Sequence, residues 1–125
     1  MKLPPVTTTV SASRVRDFAA SIGEDSPVFH DVTAAVIPLP PTILFGIGAE
    51  LEGDAALDAF GLRPAQVLHV EQEFRYHRPV HAGEELTFRS VASSFDRRGS
   101  AFVVLETEIT RSSELVAELR QVLMA

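Results

Sequence analysis

Four side chains suited to acid–base chemistry lie within eight consecutive residues, the carboxylates of Glu24, Asp25 and Asp31 and the imidazole of His30. Asp25 and His30 are five residues apart across a proline turn, so both side chains could converge on one water molecule. A histidine beside a carboxylate is the usual equipment for general acid and base catalysis. Asp, Ser and Pro are also common turn formers. The pattern alone therefore leaves a catalytic and a purely structural interpretation open.

A second set of polar residues shares one face of a predicted strand: His69, Glu71, Glu73, Arg75 and His77. Successive side chains on a strand face point along a line rather than toward one point. No spacing typical of a zinc site is present. We therefore predict a solvated strand face here, with no metal and no cofactor.

The acid–base residues follow a predicted helix. Between Val10 and Gly23, apolar residues fall at i, i+3, i+4 and i+7, which is one face of an amphipathic helix. Ser11 or Ser13 can cap its first turn, and Gly23 can adopt the left-handed conformation that ends it. One further helical turn is predicted at Thr33–Val36.

A second helix is predicted after the extended, proline-rich segment 37–41. Residues 42–51 carry apolar side chains at helical spacing, and Gly46 and Gly48 cost about 1 kcal/mol each relative to alanine in a helix. Those glycines favour close packing of the sheet on the helix, or space beside it. A separate short helix is predicted over 54–60, closed by Gly61.

From Gln66 onward the apolar period changes to two, which predicts strands. Four long strands are predicted at about 66–77, 86–95, 101–111 and 115–124, with a short one at 6–10. Strands joined by tight turns are antiparallel. A helical first half followed by an antiparallel meander indicates one α+β domain over residues 1–125. The apolar surface that the helix leaves uncovered and the free edge of the sheet suggest a dimer.

The composition excludes several classes of protein. The chain has 125 residues, no cysteine and a formal charge of −6. The acidic balance argues against a nucleic-acid binder, which needs a basic face. No apolar run approaches the roughly 20 residues needed to cross a bilayer, and the first residues lack a secretory signal. A cytoplasmic protein is the default expectation.

Three stretches of the sequence resemble the MaoC-like dehydratases, especially the N-terminal or companion-subunit type: residues 18–31, 40–47 and 72–86, the last with an aromatic-containing strand leading to Pro79-Val-His-Ala-Gly83. The resemblance covers nearly the whole chain. It implies a hot-dog fold, in which a curved antiparallel sheet of about five strands wraps a long central helix. It also implies dimers, enoyl-thioester substrates, and (R)-specific addition of water or the reverse dehydration.

The chain departs from the family pattern where the chemistry resides. Active members carry Gly-Asp-x-Asn-Pro-(aliphatic)-His, whose Asp and His activate the water. Aligned by Gly23 and Pro27, this chain has Glu24 at the Asp position, Ser26 at the Asn position and Phe29 at the His position. A phenyl ring cannot transfer the proton. A shift of one residue gives the pair Asp25 and His30, which restores the spacing but misplaces the proline.

Active members also have a His-Gly pair where the central helix begins, and a backbone amide there polarises the thioester carbonyl. In this chain Pro40 and Pro41 occupy that approach, and proline has no N–H. The resemblance assigns substrate contacts to the start of the helix, at Pro41, Thr42, Phe45 and Gly46. Arginines that could contact the phosphates of coenzyme A or an acidic carrier protein are Arg75, Arg78, Arg97 and Arg98.

Four hypotheses follow. The chain is a catalytically incomplete, acyl-binding half of a hydratase that works in a heterodimer with a catalytic MaoC-like subunit. Alternatively it is a self-sufficient homodimeric hydratase that uses Asp25 and His30. It could instead be a non-catalytic acyl-thioester binding or assembly protein, or a hot-dog thioesterase. All four imply an acyl-CoA or acyl-carrier-protein thioester as ligand.

Overall fold

The computed structural model describes all residues from Met1 to Ala125. Along the chain, a short strand and three helices precede four long strands. No helix is both long and apolar enough to cross a membrane. The elements, in chain order, are β1 (Val6–Thr9), α1 (Ala12–Ser21), α2 (Pro27–His30), α3 (Ile43–Asp58), a 3₁₀ turn (Pro64–Gln66), β2 (Leu68–Tyr76), β3 (Glu85–Arg97), β4 (Ser100–Arg111) and β5 (Glu114–Met124).

The five strands form one antiparallel sheet in the order β1-β3-β4-β5-β2. Tight reversals join β3 to β4 and β4 to β5, and residues with positive φ make both reversals: Arg98 and Gly99 in the first, Ser112 and Ser113 in the second. Strands β1 and β2 are therefore the two edges of the sheet. The predicted meander holds for β3, β4 and β5 but was wrong for β2, which pairs with β5 and not with β3, because residues 77–84 cross the end of the sheet and do not form a hairpin.

The central helix α3 is continuous over Ile43–Asp58, so the prediction of two helices separated near residue 52 was wrong. The predicted first helix carried its apolar stripe only as far as Leu51. In the structure Glu52 is buried and continues that stripe, while an added Cβ at Gly53 would meet only the Ala49 methyl, at 4.0 Å. The helix ends before Gly61, whose φ of +67° closes the segment as predicted.

The main core lies between α3 and the inner face of the sheet. Ile43, Leu44 and Ile47 of the helix pack against strand residues that include Phe88, which has no exposed surface. A Cβ added at Gly48 would lie 3.6 Å from the Phe88 ring, whereas a Cβ at Gly46 would have no neighbour within 4 Å. Gly48 thus serves close packing of helix on sheet, and Gly46 borders open space.

Strand β2 contains a β-bulge. His69 pairs with Leu123, but Glu71 pairs with Val122, so Val70 is an extra residue in the ladder. Because one inserted residue exchanges the two faces of a strand, His69 turns toward the helix, where its ring stacks on Phe45 at a centroid distance of 5.0 Å. The predicted grouping of His69 with Glu71 and Glu73 on one face was therefore wrong.

Candidate functional site

The turn after α1 forms as the sequence predicts. Ser11 caps the helix by accepting a hydrogen bond from the Arg14 amide, and Gly23 has a φ of +72° just beyond the helix end. The next helical turn is α2, which begins with Pro27 at a position where the missing N–H costs nothing. The helical turn predicted at Thr33–Val36 is absent, because Asp31 instead accepts hydrogen bonds from the amide and hydroxyl of Thr33.

His30 is partly buried, and its Nε2 lies 2.6 Å from the backbone carbonyl oxygen of Glu24. A carbonyl oxygen can only accept a hydrogen bond, so Nε2 must carry the proton. This contact leaves Nδ1 as the nitrogen that can take up a proton when the ring is neutral. No carboxylate forms an ion pair with His30.

The two acidic side chains before His30 have different surroundings. Glu24 is partly buried and accepts a hydrogen bond from the Ser26 amide at 3.0 Å. Asp25 is exposed on the surface. The hydrogen bond of the His30 ring goes to the main chain of Glu24 rather than to the Asp25 carboxylate. Joint action of Asp25 and His30 on a water molecule remains a prediction.

Phe29 occupies the position that the family motif gives to histidine. Its side chain is partly buried and packs against the main core. The phenyl ring therefore contributes apolar contacts that anchor the short helix α2 to the body of the molecule. Those contacts account for an aromatic residue at this position without any part in proton transfer.

The start of α3 combines prolines with free amides. Pro40 is buried and its carbonyl accepts from the Ile43 amide, at 3.2 Å. The Phe45 amide donates to Thr42, whereas the amides of Thr42 and Leu44 make no hydrogen bond. Unpaired amides at a helix start carry partial positive charge and can polarise a carbonyl oxygen. The prolines thus remove two donors from this region but leave others.

Tyr76 of β2 contacts the segment that precedes α3. Its hydroxyl donates a hydrogen bond to the backbone carbonyl of Pro41. Burial raises the pKa of Tyr76 to about 12, so the phenol stays protonated and remains a donor at neutral pH. Nothing in the sequence pattern singled out this contact, because it depends on how β2 lies across the helix.

A surface groove of about 380 Å³ adjoins this helix start, with Pro41, Tyr76 and Arg78 among the residues that line it. Arg78 also lies 3.7 Å from the Glu114 carboxylate. Arg97 is the last residue of β3 and Arg98 lies in the β3–β4 turn. Both are at the opposite end of the strands from Tyr76 and the start of α3. Of the four arginines considered from the sequence, Arg78 is the one that borders this groove.

A buried polar cluster that sequence reasoning missed lies between α3 and the sheet. The Glu52 side chain, 4% exposed, accepts a hydrogen bond from the Ser90 hydroxyl at 3.0 Å. That hydroxyl lies 2.7 Å from the hydroxyl of Thr107 on β4. Since the Ser90 proton points to Glu52, Thr107 must donate to Ser90. A glutamate in an otherwise apolar helical stripe was the sequence signal for this cluster.

Burial raises the pKa of Glu52, and the hydrogen bond from Ser90 lowers it by a smaller amount. A raised pKa means that the folded protein holds the proton more tightly than the unfolded chain. Stability from this group is therefore complete below the ordinary glutamate pKa of 4.5 and is lost as pH rises through the folded value. We expect the Glu52→Gln variant, which cannot ionise there, to gain stability relative to the unmodified protein between pH 4 and pH 8.

Urea unfolding of both proteins across this pH range measures that difference. Subtracting one curve from the other cancels the contributions of the remaining carboxylates, including Asp31, whose pKa is lowered by the Thr33 hydroxyl and amide. A difference that stays constant with pH would contradict a buried, ionisable Glu52.

Comparison with known proteins identifies relatives over most of the chain. The sequence profile of the FAS1-like dehydratase domain region matches residues 1–119. A UPF0336 protein of Parafrankia sp. (strain EAN1pec) is 38% identical over 121 residues, covering 87% of this chain and 78% of that protein. The chain spans 61% of a UPF0336 protein of Streptomyces avermitilis that it also matches.

Solved structures share the architecture. A chain of the C-terminally truncated HadBC complex of Mycobacterium tuberculosis, a 3R-hydroxyacyl-ACP dehydratase, superimposes with a TM-score of 0.78 at 26% identity, over 98% of this chain and 92% of that chain. The (R)-hydratase of A. caviae involved in PHA biosynthesis gives a TM-score of 0.73 at 19% identity, over 98% and 92%. The predicted hot-dog α+β fold is confirmed.

Proposed function

Since the chain belongs to the FAS1-like dehydratase domain region family, with hot-dog hydratases and dehydratases as structural neighbours, we propose that it is the acyl-binding subunit of an (R)-specific enoyl-thioester hydratase. In this proposal the chain holds the acyl group and a catalytic subunit of the same fold supplies the acid–base pair. The reaction is addition of water to the enoyl thioester, or the reverse dehydration.

The observation that carries the proposal is the packing of Phe29 against the core. Because that ring occupies the motif position of the catalytic histidine and stabilises α2 by apolar contacts, the position contributes to folding and has no proton to transfer. The aligned acidic residue, Glu24, uses its carboxylate to bind the Ser26 amide. Both motif positions thus have structural partners in place of a water molecule.

The start of α3 supports a role in acyl binding. Pro41, Thr42, Phe45 and Gly46 lie together there, with open space beside Gly46. The unpaired amide of Thr42, which lies exposed at the helix start, is suited to bind the thioester carbonyl oxygen. Such a donor stabilises the negative charge that develops on this oxygen in the transition state, so it helps a partner's acid–base groups even where this chain supplies none.

The sheet edge supports a partner. Strand β2 is an edge strand with exposed apolar side chains at Leu68, Val70 and Tyr76. Exposed edges of this kind pair readily with another strand. HadBC is described as a complex, and we propose that β2 of this chain pairs in a heterodimer with a catalytic subunit. Pairing of two copies of this chain is the alternative.

A self-sufficient homodimeric hydratase is the second candidate function. It is favoured by the hydrogen bond of His30 to the Glu24 carbonyl, which fixes the tautomer and leaves Nδ1 free to act as a base. Asp25, exposed on the same turn, would then orient the water. The two candidates differ in whether this chain hydrates an enoyl thioester by itself.

An assay of crotonyl-CoA hydration by the purified chain distinguishes the two candidate functions. The absorbance of crotonyl-CoA is followed over time. We expect no turnover from the chain alone and measurable turnover after a catalytic MaoC-like subunit is added, above the rate of that subunit by itself. When mixed with the catalytic subunit, the His30→Ala variant should give the same turnover as the unmodified chain. His77→Ala is the matched control, because that histidine pairs with Glu118 on the outer face of the sheet.

Turnover by the chain alone that His30→Ala abolishes and His77→Ala leaves intact would reject the companion-subunit proposal in favour of the homodimeric hydratase. Stable binding of acyl-CoA with no turnover in any pairing would instead identify a non-catalytic acyl-binding protein. Release of free coenzyme A would identify a thioesterase.

A further inference from the structure

A narrow cleft lies between α3 and the inner face of the sheet, and polar side chains border it from both sides. Glu52 belongs to the helix, whereas Gln72 of β2 and Gln121 of β5 are paired residues of the sheet. About 10 Å³ of the cleft is wide enough for the centre of a water-sized sphere, which is room for one water molecule. The occupant of this cleft is therefore the size of a single water molecule or a small ion.

Two buried oxygen atoms at this cleft lack a hydrogen-bond donor from the protein, Glu52 Oε2 and Gln72 Oε1. A buried acceptor without a donor is costly, and native proteins ordinarily satisfy such a group with another protein group or with ordered water. The Glu52 side chain is only 4% exposed, so bulk solvent does not supply the donor. The two oxygens thus call for a donor held inside the cleft.

The hydroxyl groups next to Glu52 already use their protons elsewhere. Ser90 donates to Glu52 Oε1 at 3.0 Å, and Thr107 donates to Ser90 across 2.7 Å. Each hydroxyl has one proton to donate. Neither Ser90 nor Thr107 can therefore also serve Glu52 Oε2 or Gln72 Oε1, and the donor must come from outside the polypeptide.

We propose that this cleft binds one buried water molecule, which donates one proton to Glu52 Oε2 and the other to Gln72 Oε1. The two O–H groups of water match the two acceptors in number. Its oxygen remains able to accept, and the side-chain amide of Gln121 on the same cleft is a suitable donor. That arrangement gives the water about three hydrogen bonds, which is typical of buried water in proteins.

Water suits the cleft better than a cation does. A calcium or magnesium ion takes about six or more oxygen ligands, whereas only two unpaired buried oxygens are at hand. Water also completes the hydrogen bonds in either protonation state of Glu52. It donates to the carboxylate when Glu52 is charged, and it accepts from Oε2–H when Glu52 is neutral while still donating to Gln72.

The bound water extends the buried polar cluster to the edge of the sheet. Glu52 is already linked to Ser90 of β3, and through Ser90 to Thr107 of β4. The water adds Gln72 of β2, so one network joins α3 to three strands. Hydrogen bonds are directional, whereas apolar contacts are not. The network therefore fixes the rotation of α3 on the sheet, which apolar packing alone specifies less strictly.

Magnetic relaxation dispersion of the water oxygen nucleus counts buried, slowly exchanging water molecules in solution. We expect Gln72→Met to hold one fewer such molecule than the unmodified chain, because methionine removes an acceptor and fills the space with an apolar side chain of similar length. Glu52→Leu should lose the same molecule. Glu52→Gln is the matched control, since its amide keeps an oxygen for Ser90 and an N–H for the water, and its count should equal that of the unmodified chain.

High-resolution crystal structures of the unmodified chain and of Gln72→Met then locate the molecule. We expect one density peak at about 2.6–3.2 Å from both Glu52 Oε2 and Gln72 Oε1, and its absence from the variant. Direct contact between the two oxygens with no peak beside them would overturn the proposal in favour of a proton shared by the side chains. A peak that appears only with added sodium or ammonium, or a water count that Gln72→Met and Glu52→Leu leave unchanged, would overturn it as well.

Discussion

Replacing Phe88 by alanine is expected to lower the free energy of unfolding by about 3–5 kcal/mol. Phe88 is a fully buried aromatic residue in the middle of β3, and its ring lies against α3 at Gly48. Removing the ring takes away its transfer free energy and leaves a cavity that the rigid helix and strands cannot close. Because domains of this size have a total stability of about 5–15 kcal/mol, the variant should lose a third or more of a typical stability.

Equilibrium unfolding in urea measures the loss, and Phe95→Ala is the control because it makes the same chemical change on the same strand. Phe95 is 44% exposed and stacks on Phe102 at 5.0 Å. Its truncation removes that contact but opens no internal cavity, so the loss should be about 1 kcal/mol. Equal losses at the two positions would mean that Phe88 does not anchor the helix to the sheet.

Replacing Ser90 by alanine is expected to lower the free energy of unfolding by about 2–3 kcal/mol at pH 8. The Ser90 hydroxyl is the only protein group that donates a hydrogen bond to the buried Glu52 carboxylate, and it also accepts from Thr107. Without it, neither oxygen of Glu52 has a donor from the protein and the Thr107 hydroxyl loses its acceptor. The loss should be smaller at pH 4, where a neutral Glu52 needs no compensation for charge.

Ser93→Ala is the control for this experiment, since Ser93 lies exposed on the same strand and its truncation should change stability by less than about 0.5 kcal/mol. The double variant Glu52→Gln with Ser90→Ala provides a further comparison. If the charge of Glu52 is what Ser90 stabilises, the double variant should lose less than the sum of the two single variants. Strict additivity at pH 8 would show that the two side chains act independently.

The sequence predicted those elements whose residues are specified locally. Ser11 and Gly23 mark the two ends of α1 because capping and left-handed geometry depend on neighbouring residues alone. The strands from β2 to β5 follow from period-two alternation, and the order β3-β4-β5 follows from tight turns such as the one at Gly99, whereas the position of β2 beside β5 does not. The resemblance to a family added the helix-in-sheet arrangement, which periodicity cannot distinguish from other α+β layers.

The errors arose where tertiary contacts override a local pattern. The predicted helix boundary after Leu51 was wrong because the next residue, Glu52, is buried in the helix by a partner, Ser90, that is 38 residues away. A separation of 35 residues likewise concealed the contact of Tyr76 with Pro41. For the acid–base pair, the turn predicted around Pro27 formed, but the ring of His30 contacts main chain rather than a carboxylate.

The extra residue at Val70 divides β2 into two parts with opposite alternation of inward and outward side chains. On one side of it, inward positions are odd-numbered, as at His69; on the other they are even-numbered, as at Gln72. Deleting that residue would leave His69 paired with Leu123 and still beside Phe45, because regular alternation from Gln72 through Glu71 already puts His69 on the inward face. The bulge thus absorbs one extra residue within the edge strand without changing which side chains face the helix, so the ladder tolerates a change of length at this one point.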